Sequence, residues 1–287
     1  MENLTNINVI KDIFERHGFS FSKALGQNFL INPSVCPRIA EMGNAAEGWG
    51  VLEIGTGVGV LTHELAKRAD KVVAVEIDSR LIPILEETLA EHDNVTVINE
   101  DVMKADLNAI IKEHFSGLKV AVCANLPYYI TSPIIMMLLE SRLPIESVTV
   151  MVQKEAGKRL CAEMGTRDTG AVTAAVRYYA EPKLLFNVSR GSFMPAPNVD
   201  SCVIRLDVKK EPAVKTEDEQ FYFRVVRGAF SQRRKNMCNS LSSAMGIPKS
   251  EVAEAIRAAG LPESVRPEQV QLEDFARVAN ELKKLSE

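Results

Sequence analysis

The stretch Val51-Leu-Glu-Ile-Gly-Thr-Gly-Val-Gly-Val-Leu-Thr62 sets three glycines directly behind a β-branched apolar run. Gly55, Gly57 and Gly59 permit a tight turn and let the backbone approach a ligand closely. Their Gly-x-Gly-x-Gly spacing departs from the Gly-x-Gly-x-x-Gly of dinucleotide sites, and alone it also reads as a plain structural turn. Two acids sharpen it. Glu76 closes a second apolar run 21 residues after Gly55, where a carboxylate can accept hydrogen bonds from both ribose hydroxyls of a nucleoside. Asp101 follows a third run, placed to accept from an adenine amino group. Singly, each acid reads as a solvated strand end. At successive strand ends, the three features point to a nucleoside-bearing ligand. Glu53, inside the first run, disfavours an anionic pyrophosphate and tolerates a cationic sulfonium and amino-acid moiety, which tilts the choice from NAD to S-adenosyl-L-methionine.

Behind a fourth apolar run stands Asn125-Leu-Pro-Tyr128. As a tetrapeptide it also reads as a turn. At this place it resembles the catalytic loop of adenine amino-methyltransferases, and the chemistry explains the residue types. An exocyclic adenine amine is a poor nucleophile because its lone pair is delocalised into the ring. If the Asn125 side-chain oxygen and a backbone carbonyl near Pro127 each accept one amine hydrogen, the nitrogen is drawn toward tetrahedral geometry and its lone pair is freed. Tyr128 would stack on the base. Positioning of this kind suffices when the electrophile is already activated, and no strong general base is required.

These residues need a scaffold that presents strand ends together. Apolar runs at Val51–Ile54, Val72–Glu76, Val95–Asn99, Lys119–Ala124 and Ser147–Val152 alternate with helical patterns at Leu61–Lys67, Leu81–His92 and Pro133–Glu140. Such alternation predicts a parallel sheet with crossover helices. Thr173–Tyr179, Leu184–Val188 and Ser201–Val208 read as further strands without helices between them, with a hairpin closing one sheet edge. The charged segment Lys209–Glu219, with Pro212, predicts a boundary between a domain of residues 1–208 and one of residues 209–287. The second is read as all-α, with helices at Phe221–Phe230, Arg234–Met245, Lys249–Ala259 and Leu272–Leu285.

Composition sets the outer limits. The 287 residues are 46% hydrophobic and 25% charged, which excludes disorder, collagen and coiled coil. No apolar run has the length of a membrane span or a signal peptide core, so a cytoplasmic location without membrane association is expected. Cys36, Cys123, Cys161, Cys202 and Cys238 are odd in number and lack Cys-x-x-Cys pairs, predicting buried reduced thiols. His17, His63, His92 and His114 show no ligand spacing, so no metal is expected. A net charge of −4 conceals an asymmetry: residues 41–120 carry 7 Lys+Arg against 15 Asp+Glu, and residues 121–247 carry 17 against 12. Arg224, Arg227, Arg233, Arg234 and Lys235 lie in a stretch without acids. Such runs are usually solvated faces, but here phosphate contacts are favoured, with 224, 227 and 234 near one side of a helix.

Three further segments, Lys23-Ala-Leu-Gly-Gln-Asn-Phe-Leu30, Phe193-Met-Pro-Ala-Pro-Asn-Val-Asp-Ser201 and Phe230-Ser-Gln-Arg-Arg-Lys-Asn236, complete a pattern that resembles the KsgA/RsmA family of small-subunit ribosomal RNA adenine dimethyltransferases, related to the Erm enzymes. The resemblance runs from about Phe21 to the C-terminus. It implies an α/β, Rossmann-like S-adenosylmethionine-dependent methyltransferase fold, with a mostly parallel seven-stranded sheet, an antiparallel edge hairpin and a small all-α C-terminal domain. It implies that Asn28, Leu30, Gly55, Gly57, Glu76, Asp101 and Asn125 bind the cofactor, and that Phe193 opposes Tyr128 to sandwich a flipped adenine. Without it, the N-terminal segment reads as a capping strand and Phe193 as a core residue. The implied reaction is dimethylation of two adjacent adenosines in the hairpin loop near the 3′ end of 16S rRNA, in an immature 30S particle. S-adenosyl-L-homocysteine is the product, and the implied enzyme is monomeric, acts in subunit biogenesis and is linked to kasugamycin sensitivity. The alternatives are an Erm-type 23S rRNA methyltransferase and a methylation-independent assembly factor. An NAD-dependent dehydrogenase is disfavoured by the glycine spacing.

Overall fold

The structure, a computed structural model, describes residues 4–22, 26–232 and 234–286. In chain order the elements are α1 (Ile7–Arg16), β1 (Phe29–Leu30), α2 (Val35–Met42), β2 (Trp49–Ile54), α3 (Val60–Ala66), β3 (Lys71–Glu76), α4 (Ile82–Thr88), β4 (Val95–Asn99), α5 (Leu107–His114), β5 (Lys119–Asn125), α6 (Thr131–Glu140), β6 (Ser147–Gln153), α7 (Lys154–Leu160), α8 (Ala171–Tyr179), β7 (Ala180–Val188), β8 (Phe193–Met194), β9 (Ser201–Val208), α9 (Glu219–Ala229), α10 (Met237–Met245), α11 (Lys249–Ala258) and α12 (Leu272–Ser286). No helix among the described residues is long and apolar enough to cross a membrane.

Seven strands form one sheet in the order β4-β3-β2-β5-β6-β9-β7. Its first five strands run parallel, and β9 is antiparallel to β6, with Gln153 opposite Ser201. Central strands β2, β3, β5 and β6 are buried along nearly their whole length, while edge strand β4 is only partly covered. Burial on both faces is why these runs are continuously apolar instead of alternating. Because β2 has β3 on one side and β5 on the other, the strand order reverses between β2 and β5. In a doubly wound sheet the crevice outside the strand ends opens at that switch point.

Two compact units emerge: Met1–Gly157 with Pro182–Val208, and Lys158–Glu181 with Lys209–Glu287. Residues 158–181, assigned by the sequence to the first domain, thus belong to the second unit. Within them lies the largest departure from the sequence reading. Thr173–Tyr179 is the body of helix α8, not a strand. The Gly170 N–H donates to Thr173 Oγ1 at 3.0 Å, and Thr173 Oγ1 donates to the Arg159 carbonyl at 2.7 Å, fixing the start of the helix. Its two tyrosines then join an aromatic cluster, with the Tyr178 ring 5.2 Å from Tyr222 and the Tyr179 ring 5.5 Å from Phe223. Both hydroxyls donate to Glu219, one to each carboxylate oxygen, at 2.9 Å. The apolar Val172-Thr-Ala-Ala-Val176 run resembles a strand only when this helical partner surface is ignored.

A second departure concerns the basic stretch. Helix α9 ends at Ala229 and α10 begins at Met237, so Arg234 and Lys235 stand in the intervening turn and share no helical face with Arg224 and Arg227. Arg233 lies outside the described residues, as do Lys23–Leu25 of the N-terminal motif. A third concerns the histidines: His63 and His92 meet, with His63 Nδ1 2.6 Å from His92 Nε2. All five cysteines are free thiols; Cys161 is only partly covered and the other four are buried.

Candidate active site

A cleft of about 1140 Å³, including the space at its mouth, opens beside the ends of β2, β3 and β5. Gly55, Gly57, Glu76, Asp101, Asn125 and Tyr128 all line it, together with Asn28, Leu30, Pro127 and Phe193. Every cofactor or catalytic residue proposed from the sequence therefore reaches one cavity of the first unit. How each arrives differs.

The glycine turn carries positive φ at all three positions, +75° at Gly55, +57° at Gly57 and +88° at Gly59, a region that side-chain-bearing residues adopt at a cost. A Cβ on Gly55 would meet nothing within 4 Å, whereas one on Gly57 would sit 3.2 Å from the Phe29 ring. Gly55 therefore borders open space and Gly57 packs under the N-terminal segment. Glu76 secures the turn. Its Oε2 accepts from the Thr56 N–H and hydroxyl, both at 2.9 Å, and its Oε1 accepts from the Asp78 N–H at 2.9 Å. A carboxylate has about four acceptor sites, so one remains on Oε1 for a ribose hydroxyl. The expected grip on both hydroxyls needs the Thr56 hydroxyl to turn away. Asp101 Oδ1 accepts from the Met103 N–H at 3.0 Å, and its Oδ2 lies 3.8 Å from the exposed Lys104 ammonium.

The N-terminal segment reaches the cleft by an interaction that sequence order hides. Phe29 pairs with Met194 and Leu30 with Phe193, making a two-stranded antiparallel ladder from segments far apart in the chain, and Asn32 Nδ2, 160 residues from its partner, adds a bond to Ser192 Oγ at 3.1 Å. Asn28 is turned by donating to the Gly26 carbonyl at 2.9 Å. Gln27 donates to Asp78 Oδ2 at 2.8 Å. Arg80 holds Asp78 through both oxygens, at 2.8 and 2.7 Å, and lowers its pKa. The segment is thereby tied to the turn that follows Glu76.

The ladder also sets Phe193, which the sequence places opposite Tyr128. It is 3% exposed, packed in a core cluster with Leu30, Cys36 and Val188, and forms part of the cleft wall. The uncovered aromatic is Tyr129, 64% exposed, which sits over Gly26 so that a Cβ there would be 3.4 Å from its ring. The doubled tyrosine at 128–129 was its only sequence signal. Ile77, 54% exposed and lining the cleft beside Glu76, was likewise missed.

At the tip of β5, the Asn125 carboxamide makes no hydrogen bond among the described residues, so its oxygen and amide are both available in the cleft. Pro127's own carbonyl is not available, because it accepts from the Ile130 N–H and the Thr131 hydroxyl, each at 3.2 Å. The carbonyl one residue earlier, on Leu126, accepts no hydrogen bond among the described residues and is the acceptor that can work beside Asn125. Tyr128 is fixed from behind: its hydroxyl and Ser201 Oγ are 2.6 Å apart, and burial raises its pKa, with Ser201 opposing. Ser201 belongs to the motif that precedes β9, so two motifs distant in sequence set one tyrosine.

Glu53 is the unexpected member. It is fully buried, lines the cleft, and neither carboxylate oxygen has a hydrogen-bond partner among the described residues. Burial pushes its carboxyl up to about 8; the adjacent Thr62 hydroxyl opposes the rise and the Glu76 charge adds to it. An uncharged acid here is stable by itself, and a cation seated in the cleft would draw off its proton. The donor set therefore fits a cofactor carrying adenosine and positive charge.

An open α/β sheet with a glycine cradle, a buried acid and a strand-tip carboxamide at its switch point defines a methyltransferase of Rossmann-like fold. Residues 18–284 match the profile of the family described as Ribosomal RNA adenine dimethylase, and the chain belongs to that family. It is 48% identical over 286 residues to proteins named Ribosomal RNA small subunit methyltransferase A from Bacillus mycoides (strain KBAB4) and Bacillus cereus (strain B4264), covering 98% of each chain. Among solved structures, a dimethyladenosine transferase from Plasmodium falciparum aligns with TM-score 0.74 at 25% identity, over 90% of this chain and 98% of that one. The 23S rRNA methyltransferase ErmE aligns with TM-score 0.67 at 31% identity, over 89% of this chain and 100% of that one.

Proposed function

We propose that the chain dimethylates the exocyclic amines of two adjacent adenosines in the hairpin loop near the 3′ end of 16S rRNA, in the immature 30S particle, acting as a cytoplasmic monomer. The observation that carries the reaction is the Asn125 carboxamide at the end of β5, which makes no hydrogen bond among the described residues, beside the Leu126 carbonyl, which accepts none among them. The choice of substrate rests on 48% identity over nearly the whole chain to small-subunit methyltransferases, against 31% to the 23S enzyme.

S-adenosyl-L-methionine, when bound, supplies an electrophilic methyl on a sulfonium and leaves as S-adenosyl-L-homocysteine. Gly55 gives it room, Glu76 and Asp101 hold its ribose and adenine, Asn28 and Leu30 cover it, and Glu53 offers a buried negative charge once its proton has gone. Asn125 Oδ1 and the Leu126 carbonyl each accept one hydrogen of the target amine, which turns the nitrogen lone pair toward the electrophile. Tyr128, anchored through Ser201, gives the flipped base a face to stack on, worth about 1–3 kcal/mol. The alkylated amine is acidic and loses its proton to solvent, so no strong base is required. Exposed Arg224, Arg227, Arg234 and Lys235, none of them in an ion pair among the described residues, supply phosphate contacts, with Arg233 of the same stretch.

The test is primer extension on both rRNAs after incubating unmodified subunits with the protein and cofactor. Stops at two adjacent adenosines in 16S rRNA are expected; a stop only in 23S rRNA would refute the assignment.

A further inference from the structure

His63 of α3 and His92 of the turn after α4 face each other, His63 Nδ1 being 2.6 Å from His92 Nε2. At that distance one ring can donate its N–H to the other's lone pair, the roles following the tautomers, and the same two lone pairs can instead be turned onto a metal ion. A third potential ligand stands beside them. The carboxylate of Glu91 belongs to the same cluster, with the three ligand atoms all within 4.8 Å of one another. Neutral imidazole nitrogens and a carboxylate are the donor types that zinc takes, at about 2.0–2.2 Å, with a water completing a tetrahedron.

We propose that His63, His92 and Glu91 form a binding site for a divalent transition-metal ion of the zinc type, separate from the cleft. Donors in a tetrahedral zinc set stand about 3.3 Å apart. The two rings must therefore open by less than an ångström while the exposed Glu91 swings inward. The backbones beneath are already set. Asn94 Nδ2 donates to the Ala66 and Ala69 carbonyls, both at 2.9 Å, which fastens the end of α3 to the turn that carries Glu91 and His92. The His92 N–H donates to the Leu89 carbonyl at 2.9 Å. Gly59, which opens α3, lies so close to α4 that a Cβ there would be 3.1 Å from Leu89. Two ligands from one turn and one from a helix pinned against it leave little ordering to be done on binding.

The charges around the pair are mixed. Glu64 adjoins His63 on α3 and Lys67 caps the helix. Lys67 is in turn engaged by Glu64 at 2.8 Å, which moderates its repulsion of a bound cation. The ion would act as a clasp between α3, whose first turn leads out of the glycine loop, and the start of β4. It has no part in methyl transfer.

Cobalt(II) titration of the chelator-treated full chain, followed by visible absorption, tests the site. One cobalt per chain is expected, with the intensified bands of low-coordinate nitrogen and oxygen ligation and displacement by one equivalent of zinc. His92→Ala and Glu91→Ala should each weaken binding about tenfold or more, since even outer-shell partners of metal sites are worth about 10–100-fold. Zinc should raise the melting temperature of the native chain and leave that of His92→Ala unchanged, with methylation by His92→Ala at the native rate. If His63→Ala does not fold, the two turn variants, which leave α3 intact, carry the comparison. Equal cobalt affinity in native chain and variants, or no saturable binding by the native chain, would overturn the proposal and leave a shared proton as the content of the pair.

Discussion

Glu53 carries the most charge information of any single residue. Its folded pKa, about 8, lies above the ordinary carboxylate value, so between the two the native state holds a proton that the unfolded chain releases. Stability from this group is therefore full below the unfolded value and is lost as pH rises through about 8, at up to about 1.4 kcal/mol per pH unit. Thermal melts of the ligand-free protein from pH 5 to pH 9 should show that decline, and Glu53→Gln should flatten it. A variant with an unchanged profile would remove Glu53 from the account of the cleft. The same linkage requires cofactor binding near neutral pH to release a proton, readable as a buffer-dependent enthalpy. In the sequence Glu53 was legible as a charge preference, because an acid inside an apolar run is conspicuous. Its protonation was not, because that depends on Thr62 and Glu76 arriving from elsewhere.

At the scale of elements, the parallel strands were legible because both faces are buried and the runs are continuously apolar: Val95–Asn99 and Ser201–Val208 appear with the expected bounds. α8 was not legible, since its conformation is decided by Tyr222, Phe223 and Glu219, far along the chain. The β1–β8 ladder was equally hidden, although it converts two separate motifs into one wall and turns Phe193 inward. Gly57 tests how tightly that wall is fitted. At φ +57° with Phe29 3.2 Å from its missing Cβ, Gly57→Ala should cost about 1–2 kcal/mol in urea unfolding from the left-handed backbone alone. Calorimetric titration with S-adenosyl-L-homocysteine should show weakened binding as Phe29 is displaced. Native affinity in this variant would mean that the cradle tolerates a side chain and that the glycine spacing carries less than is assigned to it.

For the whole molecule, the acidic segment 41–120 and the basic segment 121–247 divide the chain more informatively than its net charge of −4. Arg224 and Arg227 are exposed on α9, the former with its guanidinium 4.9 Å over the Phe221 ring, and Arg234 and Lys235 are exposed in the turn beyond it. Neutralising any one of the four should weaken rRNA binding uniformly across sequences and lower the salt slope of log K by about 0.7–0.9. A slope unchanged in all four variants would make the stretch a solvated surface. The complete reaction is also a property of the whole molecule, because two dimethyladenosines require four transfers with cofactor exchange between them. The most direct measurement is therefore the count and rate of labelled methyl groups delivered to purified, unmodified 30S particles by the native chain and by Asn125→Ala. Four methyls per particle are expected from the native chain. The variant, with its fold intact by circular dichroism, should be slower by about 100-fold or more, as befits a lost positioning and charge-stabilising contact. Methyl transfer by Asn125→Ala at the native rate would contradict the central claim that this carboxamide holds the amine for attack.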